Sequence, residues 1–190
     1  ENHTADVEDY ARAASFWRTV ANPDGTINSA YGRLLNHRKC CGNPGYELPH
    51  YEPGRTSGQE AMRTPWEWAM RSLIQDKDSR QAVVHFNTPE CLWVGNKDVV
   101  CTMYGQFLIR DNLLHFSINM RSNDAVRGLV YDCVWFSSLI HRAVKELKPT
   151  YPELQAGTYS HHAGSMHIYE SDYLLARQML AGNSRGLPRD

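Results

Sequence analysis

The sequence predicts an α/β (α+β) fold in which helices cover a mixed or antiparallel sheet. Three observations carry that prediction. Gly128–Leu147 (GLVYDCVWFSSLIHRAVKEL) is 20 residues of apolar-striped helix, long enough to lie across a domain centre. Residues 99–109 and 113–121 have strand character on either side of the tight polar turn Arg110-Asp111-Asn112, which makes a hairpin. Shorter helical and strand segments precede and follow these two.

Taken in order, residues 5–20 place Val7, Tyr10, Ala11, Ala14 and Trp17 at helical spacing, with acids early and Arg18 late. Residues 21–28 (ANPDGTIN) are turn chemistry. Residues 38–58 are rich in Gly and Pro, lack a sustained period and read as a loop. Thr64-Pro65 reads as an N-cap followed by Pro at the first helical position, opening a helix that ends near Asp76. Residues 81–86 (QAVVHF) read as a strand. In the long helix, Val130, Cys133, Val134, Ser137, Ile140, Val144 and Leu147 form the stripe expected to face the core. Residues 164–169 read as a short strand, and 170–180 as a return to helix.

Composition narrows the class of function. The 190 residues carry 20 Lys+Arg against 21 Asp+Glu, a net charge of -1 that excludes a broad basic field for nucleic acid. No run approaches the ~18 apolar residues of a membrane span, and the first residues lack a signal peptide's pattern. The expectation is a soluble, cytoplasmic single domain over residues 1–190, with no membrane or nucleic-acid partner. Five cysteines, Cys40, Cys41, Cys91, Cys101 and Cys133, read as reduced thiols. Cys40 and Cys41 with His37 and His50 invite a zinc site, but adjacent cysteines cannot form the C-x2-C knuckle, so no metal is expected.

Three clusters carry polar chemistry. They are Asp78-Ser79-Arg80; Cys101 with Gln106, Phe107, Arg121, Ser122, Asp124 and Asp132; and His167-Ile168-Tyr169. Each alone has an ordinary structural explanation, and their ordered spacing is what distinguishes them. Cys101-x4-Gln106-Phe107 is followed by Arg121-Ser122-x-Asp124, then Gly128, then Asp132, and this set resembles the thymidylate synthase family. Asp78-Ser79-Arg80, Trp17, Tyr31-Gly32 and His167-Ile168-Tyr169 match further motifs of that family, so the resemblance covers roughly residues 15–185.

The resemblance implies a thymidylate synthase-like layered fold that uses one sheet face for dimerisation. It implies a pyrimidine nucleoside monophosphate as substrate and 5,10-methylenetetrahydrofolate as co-substrate. Cys101 would add to C6 of the base as a thiolate, its ionised form favoured by nearby Arg side chains. Arg121 and Ser122 would hold the 5′-phosphate, joined by Arg80 reaching across a homodimer into the partner's site. His167 and Tyr169 would bind the sugar hydroxyl. Tyr31 and Gln106 would line the pocket near the base, with Tyr31 a candidate for proton transfer at C5. Asp124 would contact the folate's pterin, with Trp17 and Gly128 also on the cofactor side.

One departure from the family points to the substrate. Where thymidylate synthases carry an Asn facing the base, this chain has Asp132. Uracil offers an N3–H donor and an O4 acceptor, and cytosine reverses both. A protonated carboxyl group donates to N3 and accepts from the N4 amino group, which matches cytosine. Buried hydrogen-bond mismatch discriminates by ~10⁴-fold or more. Asp132 therefore reads as a switch toward cytidylate, and the resemblance is nearest to the cytidylate (CMP/dCMP) 5-hydroxymethylase branch. The alternatives are a thymidylate synthase acting on deoxyuridylate and an inactive nucleotide-binding homologue. Other departures are Val100 and Thr102 beside Cys101, and Gln81 in place of a second Arg. The family's Arg loop and Glu-bearing helix are not found before Trp17, nor are its last strands and tail. Arg55-Thr56-Ser57-Gly58 resembles the missing loop but lies after Tyr31.

Overall fold

A computed structural model describes residues 4–12, 15–36 and 64–182. The loop over 38–58, Arg55–Gly58, and the group Cys40, Cys41, His37 and His50 lie outside the described residues.

The N-terminal helical spacing resolves into two helices, α1 (Val7–Ala11) and α2 (Trp17–Val20), rather than one over 5–20. Glu8 and Arg18 pair at 2.6 Å, whereas ten residues of continuous helix set them about 15 Å apart. The fold-back brings Trp17 edge-on to Tyr10 at 5.8 Å and encloses a small core of Ala5, Val7, Ile27 and Ala30. The turn at 21–28 closes with Gly25 at φ +77 and the Asp24 carboxylate accepting both the N–H and the hydroxyl of Thr26. It leads into α3 (Tyr31–Asn36).

α4 (Pro65–Gln75) starts as expected, with Thr64 Oγ1 accepting the Glu67 N–H. It buries Trp66, Ala69, Met70 and Leu73. The main sheet has the order β1 (Val83–His85), β2 (Thr102–Arg110), β3 (Leu113–Met120), β5 (Gln155–Ala163). The first two pairings are antiparallel and β3–β5 is parallel, so the sheet is mixed. The hairpin turns through Asp111 and Asn112, both at positive φ (49 and 58), the left-handed pair that suits right-twisted strands. A second, two-stranded parallel sheet joins β4 (Asn123–Asp124) to β6 (Met166–His167).

α5 (Gly128–Leu147) has the expected bounds, but only the later part of the expected stripe, Ile140, Val144 and Leu147, packs on the core. Phe136, Leu139, Ile140, Ala143 and Leu147 are buried, while Val130 and Val134 are 56% and 68% exposed. The aromatic cluster decides the rotation: Phe136 packs on Phe86, Phe116 and Trp135, and burying a ring outweighs burying a valine. The strand expected over 164–169 is confined to β6. Glu170–Asp172 is a 3₁₀ turn ahead of α6 (Tyr173–Leu180). No helix among the described residues is long and apolar enough to cross a membrane.

Candidate active site

The hairpin register builds the centre of the site. β2 and β3 pair Thr102 with Met120, which sets Cys101 against Arg121 although twenty residues separate them. The Arg121 N–H donates to the Cys101 carbonyl at 2.8 Å. Its guanidinium folds back on the same loop, donating to the Val99 carbonyl (2.7 Å) and the Val100 carbonyl (3.2 Å), and Nη2 lies 3.5 Å from Cys101 Sγ. Arg121, expected at a phosphate, thus touches the thiol directly. It favours the thiolate, as expected of a neighbouring guanidinium. Burial pushes the other way and prevails, aided by the charges of Asp132 and Asp98, so the thiol sits above the ordinary cysteine range.

Asp132 lies four residues into α5, one turn past Gly128, whose Cα side faces the Asp132 carboxyl. Burial pushes the Asp132 carboxyl up to about 6, opposed by an N–H bond from Asn123 Nδ2 to its Oδ2 at 2.6 Å. Asn123 also donates to Met120 Sδ. Tyr31 packs its ring against Phe86, Trp135 and Phe136 at 5.5 to 5.7 Å. Burial, and next the charge of Asp132, push its phenol well above the usual tyrosine range. Cys101, Asp132, Tyr31 and Arg121 therefore share one electrostatic environment.

The small sheet assembles the second part. β4–β6 pairing sets Asp124 against His167, and Ser122 Oγ lies 3.4 Å from His167 Nδ1. The His167 and Tyr169 rings meet edge-on at 5.0 Å. Asp124 Oδ1 accepts the N–H groups of Val126 and Arg127, both at 2.7 Å, ordering the turn into α5. Its Oδ2 is buried without a hydrogen-bond partner among the described residues.

Three expected site residues stand apart within this chain. Gln106 lies four residues along β2 from Thr102, roughly 13 Å, and its Nε2 donates to the Arg80 carbonyl at 2.8 Å. Arg80 is exposed in a surface depression with Asp76, Asp78, Ser79, Gln81 and Arg110. Trp17 packs on Tyr10 and Phe16 beside the small N-terminal core. Asn123 stands inside the Arg121–Asp124 motif, yet only the fold shows that it holds Asp132. Asp98, buried beside Cys101 and Tyr31, gives no spacing signal at all. No group of three or more His, Cys, Asp or Glu side chains suited to a metal occurs among the described residues.

Comparison with known proteins decides the family. The sequence profile described as thymidylate synthase matches residues 2–189. The chain belongs to the thymidylate synthase family. Members of the family are one-carbon transferases that act on nucleotide monophosphates with methylenetetrahydrofolate as co-substrate. The chain is 28% identical over 84% of its length to deoxycytidylate 5-hydroxymethyltransferase of Enterobacteria phage T6, and 24% identical over 92% to a thymidylate synthase of Coxiella burnetii. Each alignment spans 58% of the relative's length. Thymidylate synthase A of Bacillus subtilis superposes with a TM-score of 0.64 at 20% identity, covering 96% of this chain and 57% of that one. The thymidylate synthase-like fold with its mixed sheet follows from this likeness.

Proposed function

We propose that the chain is the catalytic part of a folate-dependent transferase that converts (deoxy)cytidylate to 5-hydroxymethyl(deoxy)cytidylate. The observation that carries the reading is the Asp132 carboxyl, raised to about 6 by burial in the same environment as Cys101. At pH 7 about a tenth of this group holds a proton, far more than of an ordinary aspartate. Asn123 occupies Oδ2, which leaves Oδ1 to carry that proton toward the base. In this form Asp132 donates to cytosine N3 and accepts from the N4 amino group.

The chain's own residues then act as follows. Cys101 first loses its proton to solvent; the thiolate, held beside Arg121, then forms a bond from Sγ to C6, and the C5–C6 π electrons move toward C4 and N3. Asp132 gives its proton to N3 and so removes the charge that develops there. Carbon C5 becomes nucleophilic and takes up the one-carbon unit. Tyr31, neutral and half-buried, assists loss of the C5 proton. Water captures the C5 methylene and supplies the hydroxyl; Cys101 then leaves C6 as the N3 proton returns to Asp132, and the sum is cytidylate, methylenetetrahydrofolate and water to product and tetrahydrofolate. Ser122, His167 and Tyr169 line the nucleotide side. Asp124, with an acceptor oxygen buried and unpartnered, fits a pterin ring edge that bears N–H donors, and bound folate supplies the one-carbon unit.

Release of tritium from C5-labelled cytidylate in the presence of methylenetetrahydrofolate tests this reading. Cys101→Ala is expected to lower release by about 10³-fold or more. Release at the wild-type rate from that variant would contradict the covalent mechanism.

A further inference from the structure

A single carboxylate joins the two segments that carry Cys101 and Tyr31. Asp98 is 8% exposed, and its Oδ2 accepts the N–H of Ser29 at 2.8 Å across 69 residues of sequence. Ser29 lies two residues before Tyr31, and Asp98 three before Cys101. The joint is braced by a file of amides, of which Asn22 and Asn28 are buried and Asn96 half-buried. Asn22 Nδ2 donates to Asn28 Oδ1 (2.9 Å), and Asn28 Nδ2 donates to Asn96 Oδ1 (2.7 Å). That same Asn96 oxygen accepts the N–H of Asp98 (2.9 Å), and Asn96 Nδ2 donates to the Cys91 carbonyl (2.8 Å). The carboxylate is thus held from its own backbone on one side and by Ser29 on the other. An amide at this place would accept the Ser29 N–H equally well, so the hydrogen bond alone does not account for a charged group.

We propose that Asp98 is a positioning residue whose carboxylate locks the Tyr31 segment onto the Cys101 segment and sets the negative field in which the thiol rests. The proposal builds on the reading of Cys101 as nucleophile. The charged and titratable groups facing Cys101 are Arg121 from the end of β3, Asp132 from α5, Tyr31 from α3 and Asp98 from its own loop. Arg121 opposes the burial of the thiol, whereas Asp132 and Asp98 reinforce it. A nucleophile kept neutral until substrate binds is less open to oxidation than a standing thiolate.

The test is site-resolved alkylation of Cys101 by iodoacetamide across pH, read by peptide mass on the whole chain, together with the thermal midpoint. Asp98→Asn keeps an oxygen for Ser29 and removes the charge. Cys101 in this variant is expected to react about twofold to threefold faster at pH 7.5, with little change in midpoint. Asp98→Ala removes both the charge and the tie, and is expected to show the faster alkylation with a clearly lower midpoint. A Cys101 profile in Asp98→Asn that superimposes on wild type overturns the field. Equal midpoints for the Asn and Ala variants overturn the lock. Alkylation needs no turnover, so these results stand apart from the proposed reaction. Absence of hydroxymethylation by the wild-type chain, alongside the expected alkylation shift in the variants, would count against the catalytic reading alone.

Discussion

Asn123 Nδ2 donates to Asp132 Oδ2 across 2.6 Å, tying β4 to the first turns of α5. The bond fixes the carboxyl's orientation but does not offset its burial, and the group remains raised to about 6. A raised carboxyl destabilises the fold once it ionises. Between about pH 4 and pH 6 the native state binds a proton at Asp132 that the unfolded chain releases, so the Asp132 contribution to stability falls as pH rises through that window.

Asp132→Asn removes this dependence while keeping an oxygen for Asn123. Relative to wild type, the variant is expected to gain roughly 2 kcal/mol more at pH 8 than at pH 4. Urea unfolding of both proteins at the two pH values measures it. An equal difference at both would show that Asp132 ionises normally.

Arg121 forks across the Val99 and Val100 carbonyls with one nitrogen 3.5 Å from the thiol, so its charge and its shape both matter at Cys101. Arg121→Ala leaves burial unopposed and is expected to slow Cys101 alkylation at pH 7.5 by roughly tenfold. Arg121→Lys is expected to recover only part of this, because an ammonium cannot span two carbonyls as the planar fork does. Full recovery by Lys would show that charge alone is at work.

Asp172, 3% exposed at its side chain, takes the Nε and Nη2 of Arg127 at 2.7 to 3.1 Å and joins the start of α5 to the start of α6. The two partners are not equivalent, since the Arg127 side chain is 51% exposed. Arg127→Ala strands a buried carboxylate and is expected to destabilise by about 3 kcal/mol. Asp172→Asn leaves a cation that water can solvate and is expected to lose about half as much. Thermal or denaturant unfolding of the two variants checks the order, which a purely pairwise contact would not produce.

Local rules made much of this fold legible. Thr64-Pro65 marks the start of α4, the Asp111-Asn112 turn sets the hairpin, and Gly128–Leu147 is a helix to the residue. Because the hairpin sets Cys101 opposite Arg121, the spacing of that pair was also readable. What escaped depends on contacts distant in sequence. β5 (QAGTYSHHA) lacks apolar alternation and is a strand because β3 pairs with it. The buried face of α5 was set by Phe136 meeting Phe86 and Phe116, not by the valine stripe. Asp98 meets Ser29 across 69 residues, and no local pattern announces such a bond. Arg80 and Gln106 lie together but away from Cys101 in a single chain: Arg80 was expected to act in a partner's site, whereas Gln106, expected near the base, is bound instead to the Arg80 carbonyl.

Asp132 carries the central claim, and competition between nucleotides tests it most directly. The wild-type chain is given equal cytidylate and uridylate, in ribo and deoxy forms, with methylenetetrahydrofolate, and the products are resolved by mass. The account predicts hydroxymethylated cytidylate from the wild type, in excess of any uridylate product by ~10³-fold or more, and a shift toward uridylate in Asp132→Asn. A wild-type chain that modifies uridylate as readily as cytidylate, or an Asp132→Asn variant with unchanged preference, would contradict it.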